Sequence, residues 1–171
     1  PNSTNVANLT TINSCEFRRS SNFNIPGPSV KRGMVNLHGV KDIKFYLNHF
    51  LPSRRPLDED TTICIRGINS SVIVGDMQNS GGNIFDSAFY AIHMVGGYKN
   101  IIDDNWIFTR NGIYISNSNY NRITNNKFRL DFVSNYFNSN SLRTGIYMNE
   151  CNNFKIEKNE ISTVNLNQNI S

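Results

Sequence analysis

The chain has 171 residues, a net charge of +4 and a pI near 9.1, with 38% hydrophobic and 18% charged residues. That is enough apolar material for one core, too mild a charge to demand a nucleic acid partner, and no apolar run approaches the length that spans a bilayer. Asparagine supplies 29 residues; since Asn favours turns over helix interiors, the composition excludes a helical fold and suits one that turns every few residues.

Taken from the N-terminus, an eight-residue register x-x-(Ile/Phe)-x-x-(Asn or small)-x-(Phe/Ile) recurs. Its copies are Thr10–Phe17, Ile43–Phe50, Gly82–Phe89, Asn100–Ile107, Asn121–Phe128 and Phe154–Ile161. Positions three and eight predict two inward apolar ladders. Position six is Cys15, Asn48, Ser87, Asn105, Asn126 and Asn159. That column predicts an asparagine ladder, because a side-chain amide can bond its equivalents above and below while satisfying backbone groups at a bend. The stretch Thr61–Met77 predicts a further coil, with Ile63-Cys64-Ile65 opening it and Val72–Val74 as its second strand.

From Ala91 onward the repeat is complete. Ala91–Ile107, Gly112–Phe128 and Gly145–Ile161 each begin with a small residue and an apolar–x–apolar triplet. The triplets are Ile92-His93-Met94, Ile113-Tyr114-Ile115 and Ile146-Tyr147-Met148. A unit of two or three very short strands cannot bury its apolar face alone, so the copies must stack. The expectation is an all-β, single-stranded parallel β-helix (solenoid) of about five to seven coils. It has Ile92, Ile102, Ile113, Ile123, Ile146 and Ile156 inside. Residues 1–171 form one segment, interrupted by insertions at 18–32, 51–61 and 129–144 that leave from one corner. Neither end reads as a polar cap, so the segment is expected to belong to a longer solenoid.

The spacing GI-x-(IM)…N-x-I-x-x-N-x-(IF), traceable from Gly33 to Ile161, resembles the parallel β-helix repeat of the pectin-lyase-like superfamily. That superfamily includes the NosD-type, carbohydrate-binding and sugar-hydrolase repeat group. The resemblance implies a right-handed coil with three short parallel strands per turn, and a loop-walled groove along the strand that opens each repeat. It is specific for fold and poor for function, because lyases, hydrolases, epimerases and non-enzymatic adhesins share it.

Side chains alternate along a strand, so the middle residue of each triplet should face outward. This gives the column Cys64, His93, Tyr114 and Tyr147, with Tyr136 and Phe137 of the third insertion as a wall. Aromatic rings beside Asn and Ser suit a polysaccharide or glycan. The dibasic pairs Arg18-Arg19, Lys31-Arg32 and Arg54-Arg55 would favour an acidic one. One reading is a non-catalytic polysaccharide-binding segment or rigid spacer of a secreted, cell-surface or periplasmic protein. The other is part of a lyase or epimerase acting on uronic-acid polymers, with His93, Tyr114 and Arg110 as weak catalytic candidates for base and charge neutraliser. A hydrolase needs two carboxylates across the bond it cleaves, and only Glu150 lies near the column.

The three histidines, His38, His49 and His93, have no ligand spacing, so no metal or cofactor is expected. Cys15, Cys64 and Cys151 are too scattered for a disulfide framework and read as buried small residues. Further coils of the same protein or other chains are expected partners. Nucleic acid is not, and no membrane span is expected.

Overall fold

The computed structural model describes residues 10–18, 32–51, 62–75, 81–86, 88–131 and 143–164. All regular structure among them is β. In chain order the strands are β1 (Thr10–Asn13), β2 (Glu16–Arg18), β3 (Arg32–His38), β4 (Ile43–Tyr46), β5 (His49–Leu51) and β6 (Thr62–Ile68). They continue as β7 (Val72–Val74), β8 (Ile84–Asp86), β9 (Tyr90–Val95), β10 (Ile101–Asp103), β11 (Trp106–Phe108) and β12 (Asn111–Ser116). The last five are β13 (Arg122–Thr124), β14 (Lys127–Asp131), β15 (Ile146–Asn149), β16 (Lys155–Glu157) and β17 (Glu160–Val164).

These strands form three sheets, every pairing parallel. Sheet A runs β1-β4-β7-β10-β13-β16, sheet B runs β2-β5-β8-β11-β14-β17, and sheet C runs β3-β6-β9-β12-β15. From β3 onward, successive strands visit C, A and B in turn, so each circuit of the chain lays one strand on every sheet. This arrangement is consistent with a parallel β-solenoid. The stretches between residues 18 and 32, 51 and 62, and 131 and 143 all connect a sheet B strand to a sheet C strand. β14 extends to Asp131 and pairs with β17 along Lys127–Asp131, so Arg129–Asp131 belong to sheet B.

The core is built from inward ladders. Sheet A contributes Ile12, Phe45, Val74, Ile102, Ile123 and Ile156 in one register. Sheet B contributes Phe17, Phe50, Phe85, Ile107, Phe128 and Ile161. Phe17, Phe50 and Phe85 stack nearly flat, with centroids 4.7 and 4.9 Å apart. Such contacts add to the burial of three large rings. Sheet C adds Ile65, Ile92, Ile113 and Ile146. Of the six isoleucines expected inside, Ile92, Ile102, Ile113 and Ile123 are fully buried and Ile146 partly so. Ile156 is 43% exposed, because no described strand lies beyond β16.

The asparagine ladder runs through five amides. The Oδ1 of each accepts hydrogen bonds from the circuit before it: Cys15 N–H donates to Asn48, and backbone N–H and Nδ2 donate from Asn48 to Asn83, Asn83 to Asn105, Asn105 to Asn126 and Asn126 to Asn159. Each Nδ2 also donates back to a sheet A carbonyl, as Asn105 does to Val74 and Asn159 to Ile123. Here the sequence register needs one correction. The ladder residue of the third circuit is Asn83 and its inward aromatic is Phe85, not Ser87 and Phe89, and Ile84 faces solvent. A rung donates both to the next Oδ1 and back to a sheet A carbonyl while accepting at its own oxygen; an amide has the two N–H donors this takes, whereas a hydroxyl has one.

A second, shorter ladder stands at the bend between sheets C and A. Asn100 Oδ1 accepts from Val72 N–H, and Asn121 Oδ1 accepts from Asn100 N–H and Nδ2. Ser118 closes it by hydrogen bonding with both side chains. Close approach also fixes residue type at several glycines, Gly75 and Gly112 among them. Gly75 has φ +97°, and a Cβ there would lie 1.6 Å from the Asp103 carbonyl oxygen. At Gly112, the opening small residue of its repeat, a Cβ would lie 2.3 Å from the Gly145 oxygen.

Candidate functional site

The outer face of sheet C carries the column expected from the triplets, with one substitution. Tyr114 pairs in register with His93 on one side and Tyr147 on the other. The residue in register before His93 is Arg66, itself opposite Asn36. Cys64 therefore lies two residues out of the column and is fully buried. The matching triplet in β6 is Ile65-Arg66-Gly67, disguised in sequence by a glycine where the repeat has an apolar residue. Burial, and secondarily the charge of Asp86, push the Cys64 thiol well above its usual range, so it is a packing residue and no nucleophile. The other two cysteines are not buried: Cys15 is exposed and Cys151 partly so.

The rings of the column lie parallel. His93 and Tyr114 are 4.6 Å apart between centroids at 5°, and Tyr114 and Tyr147 are 5.0 Å apart at 12°. These distances follow from the inter-strand spacing of about 4.8 Å, which stacks like side chains at equal heights. Tyr90 at the start of β9 sets its ring edge-on to both His93 and Tyr114, at 5.7 and 6.0 Å. Phe89 meets Tyr90 edge-on at 4.8 Å, and the Arg110 guanidinium lies 5.1 Å from the Phe89 centroid. The short connections from sheet B to sheet C thus bring Phe89 and Arg110 beside the column. That gathering of Arg66, Phe89, Tyr90 and Arg110 around His93 and Tyr114 was not visible from triplet alternation alone.

Parallel stacking decides what the column can offer. His93 and Tyr114 spend ring faces on each other, which leaves ring edges and the Tyr114 hydroxyl for other contacts, and His93 Nδ1 is buried. His93 is only 7% exposed, although it points away from the core. Tyr147 is 45% exposed and has one described ring neighbour in the column, so it keeps a face for a ligand. Arg66 Nε is buried without a hydrogen-bond partner, which leaves it a donor in want of an acceptor. Tyr136 and Phe137, expected as a wall, lie outside the described residues, as do the pair Arg54-Arg55 and Arg19 and Lys31. Arg18 ion-pairs with Glu16 on the surface of sheet B.

Two other polar or aromatic groups stand out. Asp103 is buried and accepts hydrogen bonds at Oδ1 from Thr124 Oγ1 and Asn125 Nδ2, with Arg122 Nη2 at 3.9 Å from Oδ2. This network ties β10 to β13. On the outside of sheet B, exposed Trp106 lies in register between Ile84 and Lys127, whose ammonium sits 4.9 Å from a Trp106 ring centroid. Among the described residues no three His, Cys, Asp or Glu side chains gather as a metal site would require. No helix among them is long and apolar enough to cross a membrane.

No protein-family model matches the chain, and no curated protein or solved structure does either.

Proposed function

We propose that the chain is a segment of a right-handed parallel β-helix of the pectin-lyase-like kind. It binds polysaccharide, without catalysis, along the outer face of sheet C, as part of a secreted or cell-surface protein. One observation carries this reading: the unbroken register Arg66–His93–Tyr114–Tyr147, continuous over four circuits, with Tyr90 and Arg110 at its side. A linear polymer matches a linear array of donors and rings. Phenol and guanidinium groups at the edges of the stack suit sugar hydroxyls and carboxylates, and Tyr147 offers a face for a pyranose. The basic side chains favour an acidic polymer. The burial of His93 supports binding over proton abstraction, since a base must reach the proton it takes.

Affinity electrophoresis in gels containing uronic-acid or neutral polysaccharides tests the proposal. The wild-type chain should be retarded most by the acidic polymers. Tyr147→Ala should weaken retention about fivefold, corresponding to about 1 kcal/mol for one ring contact, with the thermal midpoint nearly unchanged. Retention that is equal in wild type and variant would place binding elsewhere. Appearance of an unsaturated, ultraviolet-absorbing product in the same incubations would replace the binding reading with the lyase one.

A further inference from the structure

The five bends that carry the chain from sheet C to sheet A, residues 39–42, 69–71, 96–100, 117–121 and 150–154, are all described, and the long insertions leave from a different corner. The bend 69–71 has three residues, whereas each of the three that follow has five, so the corner widens after β7. Tyr98 and Tyr120 stand on the widened part. They are 46% and 51% exposed, and their rings meet edge-on at 5.1 Å and 61°. Tyr98 pairs with Asn119, Lys99 N–H donates to Asn119 O, and Tyr120 N–H donates to Asn152 O. Lys99, Tyr120 and Asn153 therefore occupy one turn position in successive circuits. All three are left-handed, with φ of 56°, 58° and 52°. Asparagine tolerates that conformation and a bulky aromatic residue does so poorly. Asn153 is the residue type the turn calls for; Tyr120 holds strain there that its exposed ring does not repay by burial.

We infer that the Tyr98–Tyr120 corner is a ligand site separate from the face of sheet C, and that it takes a neutral saccharide. The rings rest on a fixed base, because Asn100, Ser118 and Asn121 are buried beneath them and hydrogen-bonded to one another. In an edge contact one ring gives an edge and the other a face, so Tyr120 keeps at least one face whichever way the pair is set. That face suits the C–H side of a pyranose. Hydrogen-bonding groups flank it. Asn119 accepts at Oδ1 from Asn152 N–H, which orients its amide and leaves the Nδ2 donors for a sugar oxygen. The Lys99 ammonium lies 4.9 Å from the Tyr98 centroid, on the other member of the pair. The three widened bends carry only Lys99 and Glu150 as charged residues, so the corner has no net charge to draw an acidic polymer. This site does not depend on the reading of sheet C.

Affinity electrophoresis of the full chain in native gels containing hydroxyethyl cellulose, galactomannan or dextran, all uncharged, tests the inference. At least one of the three should retard the wild type. Tyr120→Asn should weaken that retardation about fivefold, as loss of one ring contact would. Its thermal midpoint should hold or rise, because asparagine occupies the same turn position at Asn153. Tyr120→Phe, which keeps the ring, should keep most of the retardation. Tyr147→Ala should leave retardation by the neutral polymer unchanged, which separates this site from sheet C. Failure of all three polymers to retard the wild type would overturn the inference, as would undiminished retardation of Tyr120→Asn. A lowered midpoint in Tyr120→Asn would overturn it by making the ring a structural group. Loss of neutral-polymer retardation in Tyr147→Ala would do so by moving the site to sheet C.

Discussion

Immediately before the ladder position, five circuits place a residue other than glycine in the left-handed region: Ser14, Leu47, Asp104, Asn125 and Lys158, with φ between 53° and 57°. Asn tolerates that conformation better than most residues, so Asn125 is well suited to it and Asp104 only moderately. Asp104 carries an added burden. Partial burial, and then the neighbouring charge of Asp103, raise its carboxyl above the ordinary 3.8, partly offset by Lys127. The folded chain therefore holds this proton more tightly than the unfolded one, and stability falls as pH rises from 3.8 through the raised value. Asp104→Asn should lift the thermal midpoint at pH 7 by an amount equivalent to about 0.5 kcal/mol. The gain should shrink at pH 3, where the wild-type carboxyl is protonated in both states. Melting curves at the two pH values check it, and an equal gain at both would assign the effect to backbone conformation alone. At this scale the sequence was legible where residue type and bend coincide, as at Asn126, and misleading where they do not. Cys64 passed for an outward residue because Ile63-Cys64-Ile65 has the pattern of a triplet. The pairing of Ile65 with Ile92 puts Arg66, not Cys64, in register with His93, and Ile63, Cys64 and Ile65 are all buried.

Strands of three or four residues make too few ladder bonds to be stable singly, and the bends between them would orphan buried backbone groups. The asparagine side chains supply what the strands lack. Asn105 alone donates to Val74 O, Asp103 O and Asn126 Oδ1 and accepts from Asn83 N–H and Nδ2, all in the buried interior. Asn105→Ala should cost about 3 kcal/mol or more, since several buried polar groups lose their partner at once. Asn159→Ala, at the end of the described ladder with no further rung among the described residues, should cost about 1 kcal/mol. Urea unfolding of the two variants checks the contrast; equal losses would mean that the ladder contributes uniformly and not through buried rungs. Most of this element was readable from spacing. The third circuit was misread because Asn83-Ile84-Phe85 and Ser87-Ala88-Phe89 both satisfy polar–x–Phe, and sequence spacing gives no preference. The choice is made by stacking: Phe85 lies 4.9 Å from Phe50, and Asn83 continues the amide chain between Asn48 and Asn105. The second ladder, through Asn100 and Asn121, was hidden because only two circuits carry it.

Across the whole molecule, each strand touches the equivalent strands of the circuits before and after it, so stability should be passed along one axis from neighbour to neighbour. The repeat period made that organisation legible from sequence. The uncovered state of the last circuit was not legible, because Ile156 and Ile161 have the same residue type and spacing as buried Ile102 and Ile107. Ile123→Asp is the sharpest test of axial organisation. Ile123 is fully buried in sheet A between Ile102 and Ile156, and its carbonyl receives the Asn159 amide. A carboxylate there has no partner and should cost several kcal/mol, on the order of 3–5. In a stack coupled only through neighbours, that cost is met by opening the adjacent circuits and leaving distant ones closed. Amide hydrogen exchange should then lose protection in β10, β13 and β16 and in the ladder from Asn105 to Asn159. The amides of β4 and β5, three circuits away, should stay close to their wild-type rates. Uniform loss of protection from β1 to β17 would mean that the chain unfolds as one cooperative unit, with stability shared across the molecule instead of handed from circuit to circuit.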